Sequence, residues 1–213
     1  MTGSTLNMHY TIADPKTFGI SEYEPVLPIY HSGQPEDSKE HCSDLLHRLD
    51  RIDPDRLSPE NAYTYRLLHR SLENDLALAD FPYYNEPLSP SSGMQSQLPV
   101  LLAEYTFRTK RDVTDYLALL DQIDDYFSSL LLYEQEKAAA GFFMPACSSE
   151  KVRKQCDTIV TTEELAQGTH FLQTTFEDRL SELPKQGLFT PEETASLIET
   201  NDRLLATVVF KSS

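Results

Sequence analysis

Apolar residues along this chain recur mainly at three- and four-residue steps, the spacing of one helix face. From about Glu36, Cys42, Leu45, Leu46, Leu49 and Ile52 share one side and Glu40, Asp44, Arg48 and Arg51 the other, until Asp53-Pro54 stops the run. Ser58-Pro59-Glu60 opens a second helix with an N-cap, a proline at the first position and early negative charge. Its stripe is Ala62, Tyr65, Leu68, Leu72, Leu76 and Ala79, so the pair predicts an antiparallel hairpin. Thr109-Lys110-Arg111-Asp112 has the form of a capping box, with Asp in place of the usual Glu or Gln. It predicts one long helix ending near Gly141, with Val113, Tyr116, Leu117, Leu120, Ile123, Phe127, Leu130 and Leu131 on one face. Further helices are predicted from Ser148 to Ile159, from Thr169 to Leu183 with Phe171, Leu172, Phe176 and Leu180, and from Thr190-Pro191-Glu192-Glu193 onward. The last carries Leu197, Ile198, Leu204, Leu205, Val208 and Val209.

One segment departs from that period. Leu6-Asn7-Met8-His9-Tyr10-Thr11-Ile12 alternates apolar and polar residues until Ala13-Asp14-Pro15, which predicts a half-buried strand whose partner lies elsewhere. Pro15, Gly19, Pro25, Pro28, Gly33 and Pro35 then favour an extended connection. The expected fold is all-α, mainly helical: helical hairpins and a bundle of about six to seven helices with one short N-terminal strand. Residues 1–35 form the extended segment and 36–213 the helical domain, whose last helix still shows an apolar face at Phe210-Lys211-Ser212-Ser213 and is expected to continue into a larger architecture.

Composition narrows the partners. Thirty-four acidic against 18 basic residues give a formal net charge of −16, and such a surface repels phosphate backbones, so nucleic acid is not an expected partner. No run approaches the roughly 20 apolar residues that cross a bilayer, and no secretion signal opens the sequence as given. Cytoplasmic residence is the default expectation; a cell-surface location would follow if a signal had been removed upstream. Three cysteines without a CxxC pair indicate neither a disulfide framework nor a zinc knuckle.

No complete catalytic constellation is visible. None of His9, His31, His41, His47, His69 or His170 is followed by Glu, so the His-Glu-x-x-His helix of zinc peptidases is absent. His69 and Glu73 read as a surface pair one turn apart rather than as ligands. Cys42, beside His41, reads as a small core hydrophobe. Ser91-Ser92-Gly93 is not a nucleophile elbow, no glycine-rich phosphate cradle exists, and the charges at Asp121, Asp124, Asp125, Glu134, Glu136 and Lys137 read as a solvated face.

The run Glu86-Pro87-Leu88-Ser89-Pro90-Ser91-Ser92-Gly93-Met94-Gln95-Ser96-Gln97-Leu98-Pro99-Val100-Leu101-Leu102, with Glu104 to Thr109 and Asp112 to Leu117, resembles the bacterial family catalogued as domain of unknown function 885. The similarity extends to Leu6–Pro15, Phe18-Gly19-Ile20, Glu134–Lys137 and Gly141–Met144. Members of that family are longer, mainly helical and similar to zincin-type metallopeptidases with a His-Glu-x-x-His-like motif in their C-terminal half. The resemblance therefore implies a non-catalytic N-terminal helical region that forms one wall of a substrate cleft. Zinc is expected only in a full-length member, and the catalytic half is expected to be absent from this chain.

On that implication the aromatic loop Phe81, Tyr83, Tyr84 and the Tyr105-to-Arg108 turn are the candidate contacts for a peptide substrate. Arg108 would read a carboxylate bidentately, or alternatively brace its loop against the following helix. No residue is a candidate catalytic group or metal ligand. The rival reading is a stand-alone helical binding module without enzymatic activity. The partner expected for the first reading is the C-terminal catalytic half, and the alternative is a second copy of the chain in a homodimer.

Overall fold

The computed structural model describes residues 5–12, 14–20, 22–30, 34–84, 86–159, 161–183 and 187–211. Ala13, His31, Gly33 and the Ser212-Ser213 end lie outside them, as do the side chains of Asn7, Pro35, Val208, Val209 and Phe210. The described residues are all-α. Their helices are α1 Thr5–Thr11, α2 Gln34–Leu49, α3 Pro59–Leu78, α4 Met94–Ala103, α5 Lys110–Asp121, α6 Ile123–Ala139, α7 Ala146–Ile159, α8 Thr162–Gln167, α9 Phe171–Glu182 and α10 Pro191–Lys211.

The expected N-terminal strand is not formed: the segment is α1, and the i→i−4 bond from Ile12 N–H to Met8 O (2.8 Å) closes its end. A short apolar run fits both periods, and tertiary packing decides between them. Here Leu6 and His9, three apart, are the residues that bury, and the Tyr10 hydroxyl donates to Leu101 O. The helix forms its backbone hydrogen bonds within itself rather than across a ladder, so no partner strand is needed.

The chain divides into two compact units, the first comprising Met1–Ile29, Pro87–Leu131 and Phe143–Ser213, the second Tyr30–Glu86 and Leu132–Phe142. In the first, the capping box predicted at Thr109 is present, with Asp112 Oδ2 accepting the Thr109 N–H (2.7 Å) and Thr109 Oγ1 accepting the Asp112 N–H (3.3 Å). It starts α5 with Val113, Tyr116, Leu119 and Leu120 fully buried. Against them lie Tyr105, Phe107 and Phe176, with ring centroids 5.3–5.8 Å apart across the Tyr116 contacts. Each fully buried ring of this size contributes about 1.5–3 kcal/mol. Arg179 of α9 stacks on Phe107 (4.6 Å) and Tyr116 (5.1 Å) and donates to the Leu102 and Tyr105 carbonyls, tying α9 to the end of α4.

The long helix expected from Thr109 to Gly141 is broken at Gln122. The Gln122 side chain donates to Pro25 O (2.8 Å) and Ala118 O (2.9 Å) and accepts the Leu27 N–H (3.0 Å). It thereby holds the proline-rich connection, which has no ladder of its own to satisfy its backbone. The start of α10 has the reciprocal cap expected at Thr190, with its N–H on Glu193 Oε2 (2.7 Å) and its Oγ1 accepting the Glu193 N–H (3.2 Å). α10 packs on α5, α8 and α9, and α4 on α7 and α9.

In the second unit α2 and α3 pack as the predicted hairpin. The Ser58 hydroxyl caps α3 by accepting the Asn61 N–H (3.3 Å), and Lys39 pairs with Asp80. Cys42 is buried in α2, as its spacing implied, whereas Leu68 stays about half exposed on α3. The later part of α6, from Leu132, completes this unit.

Candidate functional site

A cleft of about 840 Å³ opens within the first unit. Four-residue spacing puts Ile123, Phe127 and Leu131 of α6 on one side of it, and α4 contributes Gln95, Leu98, Pro99 and Leu102. Pro99 lies inside α4 and has no N–H to return to the Gln95 carbonyl. Leu172 of α9 and Leu205 of α10 close the apolar floor. Around it stand Asp124 of α6, Asp157 of α7 and Glu163 of α8, with Thr161 and Thr162 between the latter two.

The turn leading into α4 fixes that wall. Gly93 N–H donates to Ser89 O (3.0 Å) and Met94 N–H to Pro87 O (2.9 Å). Gln95, only 3% exposed, donates through Nε2 to Ser89 O (2.7 Å) and Gln155 Oε1 (3.0 Å), and Gln155 in turn donates to Pro90 O (2.9 Å). α4 and α7 are thus locked together through two amides, while Gln95 Oε1 accepts no hydrogen bond. The Cys156 thiol beside the cleft has its pKa raised, first by burial and then by Asp157. It is kept as a thiol rather than a nucleophilic thiolate.

A second polar cluster in the same unit surrounds His9, whose ring stacks on Tyr105 with centroids 3.7 Å apart and planes 9° from parallel. Its Nδ1 lies 3.8 Å from Asp112 Oδ1 and its Nε2 3.5 Å from Arg108 Nη1. Burial lowers the His9 pKa; Asp112 opposes this and Arg108 adds to it.

In the second unit Lys137 is 3% exposed, with its ammonium 2.6 Å from Glu86 Oε2 and 3.5 Å from Glu134 Oε2. Where Glu134 and Lys137 were expected on a solvated face, the structure has a buried ammonium between two half-buried carboxylates. Glu86 Oε1 and Glu134 Oε1 are buried without hydrogen-bond partners. The Glu134 pKa is raised by burial, against the lowering effect of Lys137. The Tyr133 hydroxyl donates to Pro82 O (2.8 Å), and its pKa is pushed up to about 12 by burial, with Glu134 and Glu86 adding. Glu86 is 51 residues from Lys137, a separation that no helical period exposes.

The five residues proposed as substrate contacts fall into two groups. Phe81 and Tyr84 of the second unit are exposed and meet edge to face at 5.5 Å, and Tyr83 packs on Phe142 at 5.8 Å. In the first unit Tyr105 has no exposed surface, and Arg108 gives its N–H to Asp112 Oδ2 (2.9 Å). None of the five lines the cleft. Its lining comes from six helices, which is why no local spacing in the chain revealed it.

His69 makes the expected pair with Glu73 (3.4 Å) and a further contact with Asp50 (3.2 Å) on an exposed face. Among the described residues no group of three or more His, Cys, Asp or Glu side chains is placed to hold a metal ion. The described cysteines are free, and no described helix is long and apolar enough to cross a membrane.

No curated protein matches the chain significantly. Among solved structures it is similar to the "putative lipoprotein from Colwellia psychrerythraea", with a TM-score of 0.70, 16% identity and 97% of this chain covered. The chain spans 36% of that protein's length, and at this identity the likeness shows the fold alone. The family model described as "Bacterial protein of unknown function (DUF885)" matches residues 16–211, and the chain belongs to that family.

Proposed function

We propose that this chain is a non-catalytic helical module of a zincin-like metallopeptidase and supplies one wall of its substrate cleft. The observation that carries the reading is the cleft of about 840 Å³, with its apolar floor and acidic rim. Its size and lining suit a ligand that buries apolar side chains and is oriented by a few polar groups. The peptidase chemistry comes from the family resemblance, and zinc would be held by residues outside this chain. Of the candidate contacts, Phe81, Tyr84 and Arg108 are exposed, and none of them lines this cleft.

A second reading, a stand-alone binding module, is favoured by one feature: the cleft lies wholly within one unit. Metal content and peptide hydrolysis, measured on the 213-residue chain beside a longer product of the same gene, separate the two. Zinc and hydrolysis confined to the longer protein support the module of a peptidase. Stoichiometric zinc or hydrolysis in the 213-residue chain overturns it, and their absence from both leaves the stand-alone module as the function.

A further inference from the structure

We infer that α1 is a proton-released cover on the turn that leads into α5: protonation of His9 lifts this helix, uncovers Tyr105 and frees the Arg108 guanidinium. The two ring nitrogens of His9 face opposite chemistries. Nε2 lies 3.5 Å from Arg108 Nη1, and Nδ1 lies 3.8 Å from Asp112 Oδ1. A guanidinium carries donors only, so the nitrogen that meets it is the acceptor, and the proton of the neutral ring sits on Nδ1. A second proton enters at Nε2. There it turns the contact with Arg108 into donor against donor and cation against cation.

Asp112 is not free to close in and compensate. Its Oδ2 accepts from the Arg108 N–H (2.9 Å), the Thr109 N–H (2.7 Å) and the Thr109 hydroxyl (3.0 Å), so the cap of α5 fixes the carboxylate. Asp115, itself 3.4 Å from Arg111, and the Thr106 carbonyl also favour a charged ring, yet burial outweighs all three. The rings packed against His9, Tyr105 and Tyr10, offer no charge, because burial pushes both hydroxyls up from their ordinary range.

The element that gives way is α1. Its seven residues are too few for a helix to persist in water alone. It is fastened by buried Leu6, by the stack of His9 on Tyr105 and by the Tyr10 hydroxyl on Leu101 O. Loss of the stack removes the ring that covers Tyr105, which otherwise has no exposed surface. Tyr105 and Arg108, both expected among the substrate contacts, then come into reach together. The charge added at one nitrogen thus reads out as the position of a helix.

The test is nuclear magnetic resonance of the 213-residue chain from about pH 8 to about 5.5, following the His9 ring signals and the exchange of the α1 amides. While the ring is neutral, its protons lie over the Tyr105 face and are shifted upfield of exposed histidines. Below about pH 6.5 they are expected to move to the positions of exposed histidines. Over the same range α1 protection should fall by up to about tenfold per pH unit, while α5 and α9 keep theirs. Arg108→Gln, at an exposed residue, removes the opposing cation, so His9 should titrate at higher pH and keep its upfield shift when charged. His9→Phe retains the stack and should hold α1 protection constant. A ring that stays on Tyr105 throughout the range, release of α1 in His9→Phe at the same pH, or loss of α5 and α9 protection together with α1 overturns the inference. So does a charged His9 that leaves Tyr105 in Arg108→Gln as readily as in the unaltered chain.

Discussion

Lys137 shows how one buried residue can hold two half-buried carboxylates together. Its ammonium has almost no exposure and is the only cation within reach of Glu86 and Glu134 among the described contacts. A buried ion pair adds little net stability, because desolvation offsets its attraction, yet removing one partner leaves the other charge uncompensated. Lys137→Met, close in volume, is therefore expected to destabilise the chain by about 3 kcal/mol, read from the denaturant midpoint. Adding Glu86→Gln and Glu134→Gln to it should restore most of the loss. A loss below about 1 kcal/mol would mean that water already compensates these carboxylates. In the sequence, Glu134 and Lys137 are visible as neighbours one turn apart, but Glu86 is not, so the cluster reads as surface charge.

Helix starts were legible because their chemistry is local. Ser58, Thr109 and Thr190 each cap the helix that follows them, and the required partner lies three residues on. Thr190→Ala should cost about 1 kcal/mol in thermal or denaturant unfolding and leave the α10 contacts in place. α1 and the break at Gln122 were not legible, since both depend on partners about 90 or more residues away, Leu101 for Tyr10 and Pro25 and Leu27 for Gln122. The short α8 has visible signals in Thr161 and in Gly168 (φ 68°), but it carries too few apolar residues for a period to emerge.

At Gly93 the constraint on an element is steric: a Cβ there would lie 2.0 Å from Gln95 Oε1 and 2.2 Å from Ser89 N. Gly93→Ala must push the turn open or displace the amide that locks α4 to α7. A loss of about 1–3 kcal/mol is expected. Wild-type stability in that variant would show that the turn relaxes freely. The turn containing Gly93 seats the α4 wall of the cleft.

Across the whole molecule, two buried titrations pull stability in opposite directions. The lowered pKa of His9 means that the fold prefers its neutral ring. As pH falls through about 6.5 the unfolded chain takes up a proton that the folded chain does not, and stability declines. The raised pKa of Glu134 means that the fold prefers the protonated carboxyl. Its contribution is complete below about 4.3 and is lost as pH rises through the folded value. Thermal midpoints measured upward from about pH 5.5, above the isoelectric region near 4.6 where this acidic chain loses its mutual repulsion, should resolve the His9 slope on the acid side. His9→Phe, which keeps the stack on Tyr105, should flatten the acid side alone. Glu134→Gln should gain on the wild type as pH rises from about 4.3 to the folded value and keep a constant advantage above it. If both variants keep the wild-type profile, neither group titrates differently in the fold, and the pH response belongs to the net charge of −16 spread over the surface. That surface response would weaken at high salt, whereas the buried groups, shielded from counterions, would keep theirs.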